Sequence, residues 1–138
     1  GIESATLVRG VVSLVRPDRV IAVDALSARE AARLCRAVQV TDAGIVPGSG
    51  VGNARSALTE ETLGVPVVAV GVPTVVDART LCADLCGTET ALPEDTEMFV
   101  TPRDIDSRVR DSARLVGYSI DLALHDALTI EDIDMFLA

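Results

Sequence analysis

Val65-Pro66-Val67-Val68-Ala69-Val70 is a continuous apolar run, and it reads as a buried strand. Pro66 is tolerable because it falls near the strand's start. Beyond it Gly71-Val72-Pro73 is expected to turn the chain, and Thr74 with Asp77 offers a capping box for a helix through about Cys86. Working backwards, Thr59 to Leu63 suits a helical turn, and two shorter apolar runs precede it, Arg19-Val20-Ile21-Ala22-Val23 and Val38-Gln39-Val40-Thr41. Between them Ser27 and Glu30 have capping-box spacing for a helix reaching about Cys35 or Arg36. Ahead of both, Leu7, Val8, Val11, Val12 and Val15 recur at helical period, and Pro17 stops them. Working forwards, residues 87–98 have no period and suit a surface loop, and Phe99 and Val100 enter a further element. Thr101-Pro102-Arg103-Asp104 reads as a helix start with Thr101 at the N-cap. Ile105, Val109, Ala113, Val116, Ile120 and Ala123 then mark a long amphipathic helix, and Thr129 with Asp132 caps a last one ending at Leu137. This alternation predicts a single α/β domain over 1–138, three-layered, with a mostly parallel sheet and helices on both faces.

Composition agrees. A chain of 138 residues that is 49% hydrophobic can bury a core, and with aromatics at 2% that core must be built from Val, Leu, Ile and Ala. The net charge of −9 arises from 21 acidic residues against 12 basic ones, every one an arginine. Such a surface repels phosphate backbones and anionic lipid, which makes nucleic acid and membrane surfaces poor partners. No apolar stretch approaches the ~20 residues of a membrane span, and Gly1-Ile2-Glu3-Ser4 lacks the parts of a secretory signal, so a cytoplasmic location is expected. Cys35, Cys82 and Cys86 suit buried reduced thiols. Although Cys82 and Cys86 share a helical face, that spacing is weak for zinc, and no metal or cofactor is expected.

Chemistry points to carboxylates. Asp24 ends the first short run and Asp42 the second, and in open α/β folds ligands sit just beyond strand ends. Each could equally cap a helix or serve a turn. Two aspartates close together can share a proton and divide acid and base roles, which here requires that their strands be neighbours. Asp42 leads into a loop with Gly44, Gly48, Ser49, Gly50, Gly52 and Asn53 as candidate cleft-lining residues, because glycines let backbone amides approach a ligand closely. The loop is neither a dinucleotide fingerprint nor a P-loop, since it lacks the spacing of the first and the chain has no lysine for the second. His125, the sole histidine, lies near the end of the long helix and suits a structural role, which disfavours a Ser-His-Asp or Cys-His centre.

The blocks Arg19–Arg29, Asp42–Asn53, Thr62–Ala78 and Val100–Asp106 closely resemble the germination proteases of endospore-forming bacteria, and the resemblance covers nearly the whole chain. It implies an endopeptidase that begins the degradation of small acid-soluble spore proteins at germination, made as a zymogen, tetrameric, and working in the spore core. It further implies a fold similar to hydrogenase maturation proteases and an atypical aspartic mechanism with two essential aspartates. Asp24, in Ile21-Ala22-Val23-Asp24-Ala25-Leu26, stands where the family has one of them. The other belongs to a more N-terminal segment with no match here, so the chain is expected to be the C-terminal portion of a longer protease and inactive alone. The family's Thr-Gly-Ile-His pattern is replaced by Ala43-Gly44-Ile45-Val46, so no histidine role carries over. Two alternatives accompany this reading: a non-catalytic structural or assembly piece of the protease, and a metal-binding maturation-type protease with Asp24 as ligand.

Overall fold

The computed structural model describes residues 4–49, 55–87, 92–93 and 95–137. The chain divides into two compact units, Gly1–Pro102 and Arg103–Ala138. In the first, α1 (Ser4–Val15) leads into β1 (Val20–Ala28), and β2 (Gln39–Thr41) follows a single 3-10 turn at Ala31–Arg33. Then come α2 (Glu60–Leu63), β3 (Val67–Asp77), α3 (Ala78–Cys86) and β4 (Phe99–Val100).

The central strand is β3, and the sheet order is β1-β3-β2 with β4 also on β3. Strand β1 runs parallel to β3 from Val20↔Val67 to Ala28↔Val76. Along the other edge β2 pairs antiparallel at Gln39↔Gly71 to Thr41↔Ala69, and β4 pairs antiparallel at Val76↔Val100. The sheet is therefore mixed rather than mostly parallel. At eleven residues β3 is long enough to hold two short antiparallel partners in succession on one edge.

That length also corrects the reading of Gly71-Val72-Pro73 as a turn. The strand continues through all three, and α3 begins only after its N-cap Asp77, whose carboxylate accepts the amides of Arg79 (2.9 Å) and Thr80 (3.1 Å). Pro73 offers no N–H to the ladder, but its carbonyl accepts from the Cys35 amide at 2.7 Å, and the β1 register skips beside it between Leu26 and Ser27. Because Ser27 and Ala28 pair with Val75 and Val76, the helix expected from Ser27 does not form. The long β3 competes for those backbone groups and wins, and the Ala31 amide is taken by the Asp84 carboxylate at 2.6 Å. Helix α2 forms as expected, with a reciprocal Thr59–Thr62 capping box and Gly64 closing it at φ 74°.

One face of the sheet packs under α1 and α2. Ala5, Leu58, Leu63 and Val67 form the buried cluster, with Val8, Val20, Ala22, Ile45 and Val65 against it.

The second unit holds α4 (Ile105–Leu124) and α5 (Ile130–Leu137). Thr101 does not cap α4; its hydroxyl donates to the Thr74 carbonyl at 2.8 Å, and the helix begins four residues later. Asp104 instead accepts from the Arg108 guanidinium at 2.8 Å, which holds its carboxyl below the ordinary value. At α5 the expected box is present: the Thr129 amide and hydroxyl donate to the Asp132 carboxylate, and the Asp132 amide donates back to the Thr129 hydroxyl. The two helices are joined by the Tyr118 hydroxyl donating to Asp134, with Arg114 bonded to both, and Ile133 is buried. His125 ends α4 through its amide, which donates to the Asp121 carbonyl at 3.0 Å.

Candidate active site

A groove of about 300 Å³ runs beside β1, and five successive residues of that strand, Val20 to Asp24, line it. Ser4 and Val8 of α1 form one wall, and Ile45, Pro47 and Leu58 form another. Asp24 is half-buried, and among the described residues lining the groove it is the sole ionisable side chain. Its Oδ1 accepts from the Ala25 amide at 2.9 Å, a local bond that fixes the direction of the carboxylate. Alternation places Ala22 and Asp24 on the face that packs under α1, so strand period and helix cover together aim Asp24 into the groove.

The Ile45–Leu58 wall is the base of the glycine-rich loop. Ile45 and Leu58 exchange both backbone bonds, at 3.0 and 2.8 Å, and the Arg55 amide adds a third to the Pro47 carbonyl at 3.1 Å. Gly44, at φ +80°, makes the approach possible: a Cβ there would overlap the Leu58 carbonyl oxygen and lie 2.9 Å from Thr59 Cα. Gly48 is also left-handed, at φ +75°, in the turn where the Ser49 amide meets the Val46 carbonyl at 3.2 Å. Ser49 is exposed, and Gly50, Gly52 and Asn53 lie outside the described residues.

Asp42 is elsewhere. Strand β3 lies between β1 and β2, and β2 runs opposite to both. Asp24 stands opposite Gly71, whereas Thr41 stands opposite Ala69 and the chain is heading towards Val68 when it reaches Asp42. Two strand spacings and about three residues of rise put the two aspartates roughly 10 Å apart in each direction of the sheet. They do not form a proton-sharing pair, and Asp42 is an exposed bend residue that does not line the groove. Among the described residues no three His, Cys, Asp or Glu side chains come together in a metal-binding cluster.

Comparison with known proteins bears directly on this arrangement. A peptidase family described as germination protease matches residues 1–89, which takes in α1, the whole β1–β3 pair and the groove. The chain belongs to the germination protease family. A germination protease of Clostridium tetani is 35% identical over 169 aligned residues, which cover 99% of this chain and 52% of the relative. One from Caldanaerobacter subterraneus is 37% identical over the same spans, and one from Bacillus subtilis is 55% identical over 84 residues, 61% of this chain and 23% of the relative. The chain thus spans about half the length of the clostridial and Caldanaerobacter germination proteases it matches.

Sequence reasoning did not find Ser4 and Val8 as groove residues, although the helical period of α1 marks Val8 as apolar-facing. Nor did it find Leu58, whose position opposite Ile45 depends on a loop closure that no local motif announces. In the described residues no helix is long and apolar enough to cross a membrane.

Proposed function

We propose that this germination protease chain supplies one catalytic carboxylate, Asp24, to an endopeptidase that degrades small acid-soluble spore proteins during germination. The observation that carries the reading is the position of Asp24: half-buried on the wall of a groove whose other described lining residues are uncharged, directly after the Ile21-Ala22-Val23 run, within the residues that the family model matches. An ionised Asp24 acts as general base, drawing a proton from water as its oxygen attacks the scissile carbonyl, and the partner acid protonates the departing amine. Asp42 is too far away to be that partner, so the second carboxylate comes from the part of the relatives' length that lies outside these 138 residues. On this reading the 138 residues alone do not hydrolyse substrate, and the working enzyme is a zymogen-derived homotetramer of the spore core that needs no cofactor. Its sheet is covered on both faces, as in hydrogenase maturation proteases; the apolar Ile21, Val23 and Val40 on the face away from α1 support that third layer.

The test compares Asp24→Asn with Asp42→Asn in the natural full-length polypeptide, incubated with a spore-protein peptide and followed by mass spectrometry. Asp24→Asn is isosteric and should cost ~10² to 10⁴ in rate, the usual loss when an acid–base group is removed, while Asp42→Asn stays within about threefold. Near-normal turnover of a folded Asp24→Asn protein refutes the assignment.

A further inference from the structure

Asp24 and Gly71 face each other across the parallel β1–β3 pair. Gly71 has no side chain, so β3 contributes nothing beside the Asp24 carboxylate on that face. The notch is nevertheless full. A Cβ built on Gly71 would overlap Leu26 Cδ1 and lie 2.6 Å from Leu26 Cγ and 3.1 Å from Cδ2. Leu26 is two residues beyond Asp24 on the same strand and therefore on the same face, and its side chain leans back across the pair into the space Gly71 leaves. Immediately after Leu26 the register skips, so that Ser27 stands opposite Val75, and irregularities of this kind re-aim neighbouring side chains. On its own backbone side, the Asp24 carboxylate is held by the Ala25 amide.

We propose that Leu26 is a positioning residue for Asp24: lodged in the notch at Gly71, it stands where a cross-strand neighbour would stand and, with the Ala25 amide, confines the Asp24 carboxylate to one rotamer facing the groove. This rests on Asp24 being the working carboxylate. It adds that residue 71 must be glycine because Leu26 occupies the place of its side chain, not because of backbone strain.

Three-bond couplings in isotopically labelled 138-residue protein report the Asp24 χ1 populations directly, without substrate. Wild type should show one dominant staggered rotamer. Leu26→Ala empties the notch, and Gly71→Ala expels Leu26 from it; each should abolish the dominant rotamer and give averaged couplings. The double variant Leu26→Ala/Gly71→Ala should recover it, because the methyl gained at position 71 fills the notch with no leucine to meet. Should Gly71→Ala fail to fold, Leu26→Ala still decides, since it only removes atoms. Amide shifts in β2 and α4 confirm an unchanged fold. Averaged couplings in wild type, or a single rotamer retained in Leu26→Ala at lowered thermal stability, overturn the proposal by reducing Leu26 to ordinary packing. Because no hydrolysis is measured, this outcome is independent of whether Asp24→Asn abolishes cleavage.

Discussion

Gly44→Ala should be among the most damaging single-methyl changes in the first unit, and the structure gives the size of the effect. At φ +80° the new alanine sits in the left-handed region, which costs an L-residue roughly 1–2 kcal/mol. Its Cβ would also overlap the Leu58 carbonyl oxygen, a backbone atom that can yield only if the Ile45–Leu58 bridge opens. Losing that bridge removes two backbone hydrogen bonds at about 1 kcal/mol each. The sum is about 3–4 kcal/mol, a large part of the 5–15 kcal/mol typical of a whole domain. Urea unfolding followed by circular dichroism measures the loss, and hydrogen exchange at the Ile45 and Leu58 amides shows where it falls. Gly10→Ala is the matched control: Gly10 lies inside α1 with nothing within 4 Å of its added Cβ, so the same methyl should stabilise by about 0.5–1 kcal/mol. If Gly44→Ala costs under about 1 kcal/mol with both amides still protected, the argument that the loop base depends on close approach at residue 44 is wrong.

Asp77→Ala removes the carboxylate that accepts the Arg79 and Thr80 amides, and should cost about 1 kcal/mol in urea unfolding, the usual worth of an N-cap. In the second unit, bonds from the Thr129 amide and hydroxyl hold the Asp132 carboxyl below its ordinary value of 3.8. A depressed folded-state pKa means stability that is present above the unfolded value and lost as pH falls through the folded one. The melting difference between wild type and Asp132→Asn should therefore be full at pH 7 and shrink below pH 4; a difference independent of pH refutes it.

Where local chemistry and long-range pairing agree, the elements were readable in advance. Helix α1, the Thr59–Thr62 turn, the long α4 and the Thr129–Asp132 box all follow from period and capping residues. The failures cluster at β3. Gly71 and Pro73 are turn residues by composition, yet Gly71 is there to admit Leu26 and Pro73 falls where β1 slips register. Ser27 and Glu30 have capping-box spacing, but two extra pairs with β3 outweigh a short helix. Direction was equally hidden, because the run Val38–Thr41 gives no hint that β2 lies beyond β3 and points the other way.

Three aspartates each close a short apolar run in the sequence, but the structure separates them: Asp77 ends β3 and Asp42 follows β2, whereas β1 continues past Asp24 to Ala28 and leaves it in mid-strand. Asp77 ends the central strand, where its carboxylate is taken by the first amides of α3, so it serves the fold. Asp42 follows a strand that runs against β1 and falls in an exposed bend that does not line the groove. Asp24 lies in β1 with β3 on one edge and the groove beside it, and its carboxylate accepts only the amide of the next residue among the hydrogen bonds that hold these three. A carboxylate raised or lowered by a second one must have it within about 4–6 Å. β3 pairs with one edge of β1 at Asp24 and Leu26 fills the notch at Gly71, while the groove lies beside the Asp24 carboxylate. On the proposed mechanism, the groove walls supplied by α1 and by the loop base that Gly44 closes bound the space for a second catalytic group and the scissile peptide.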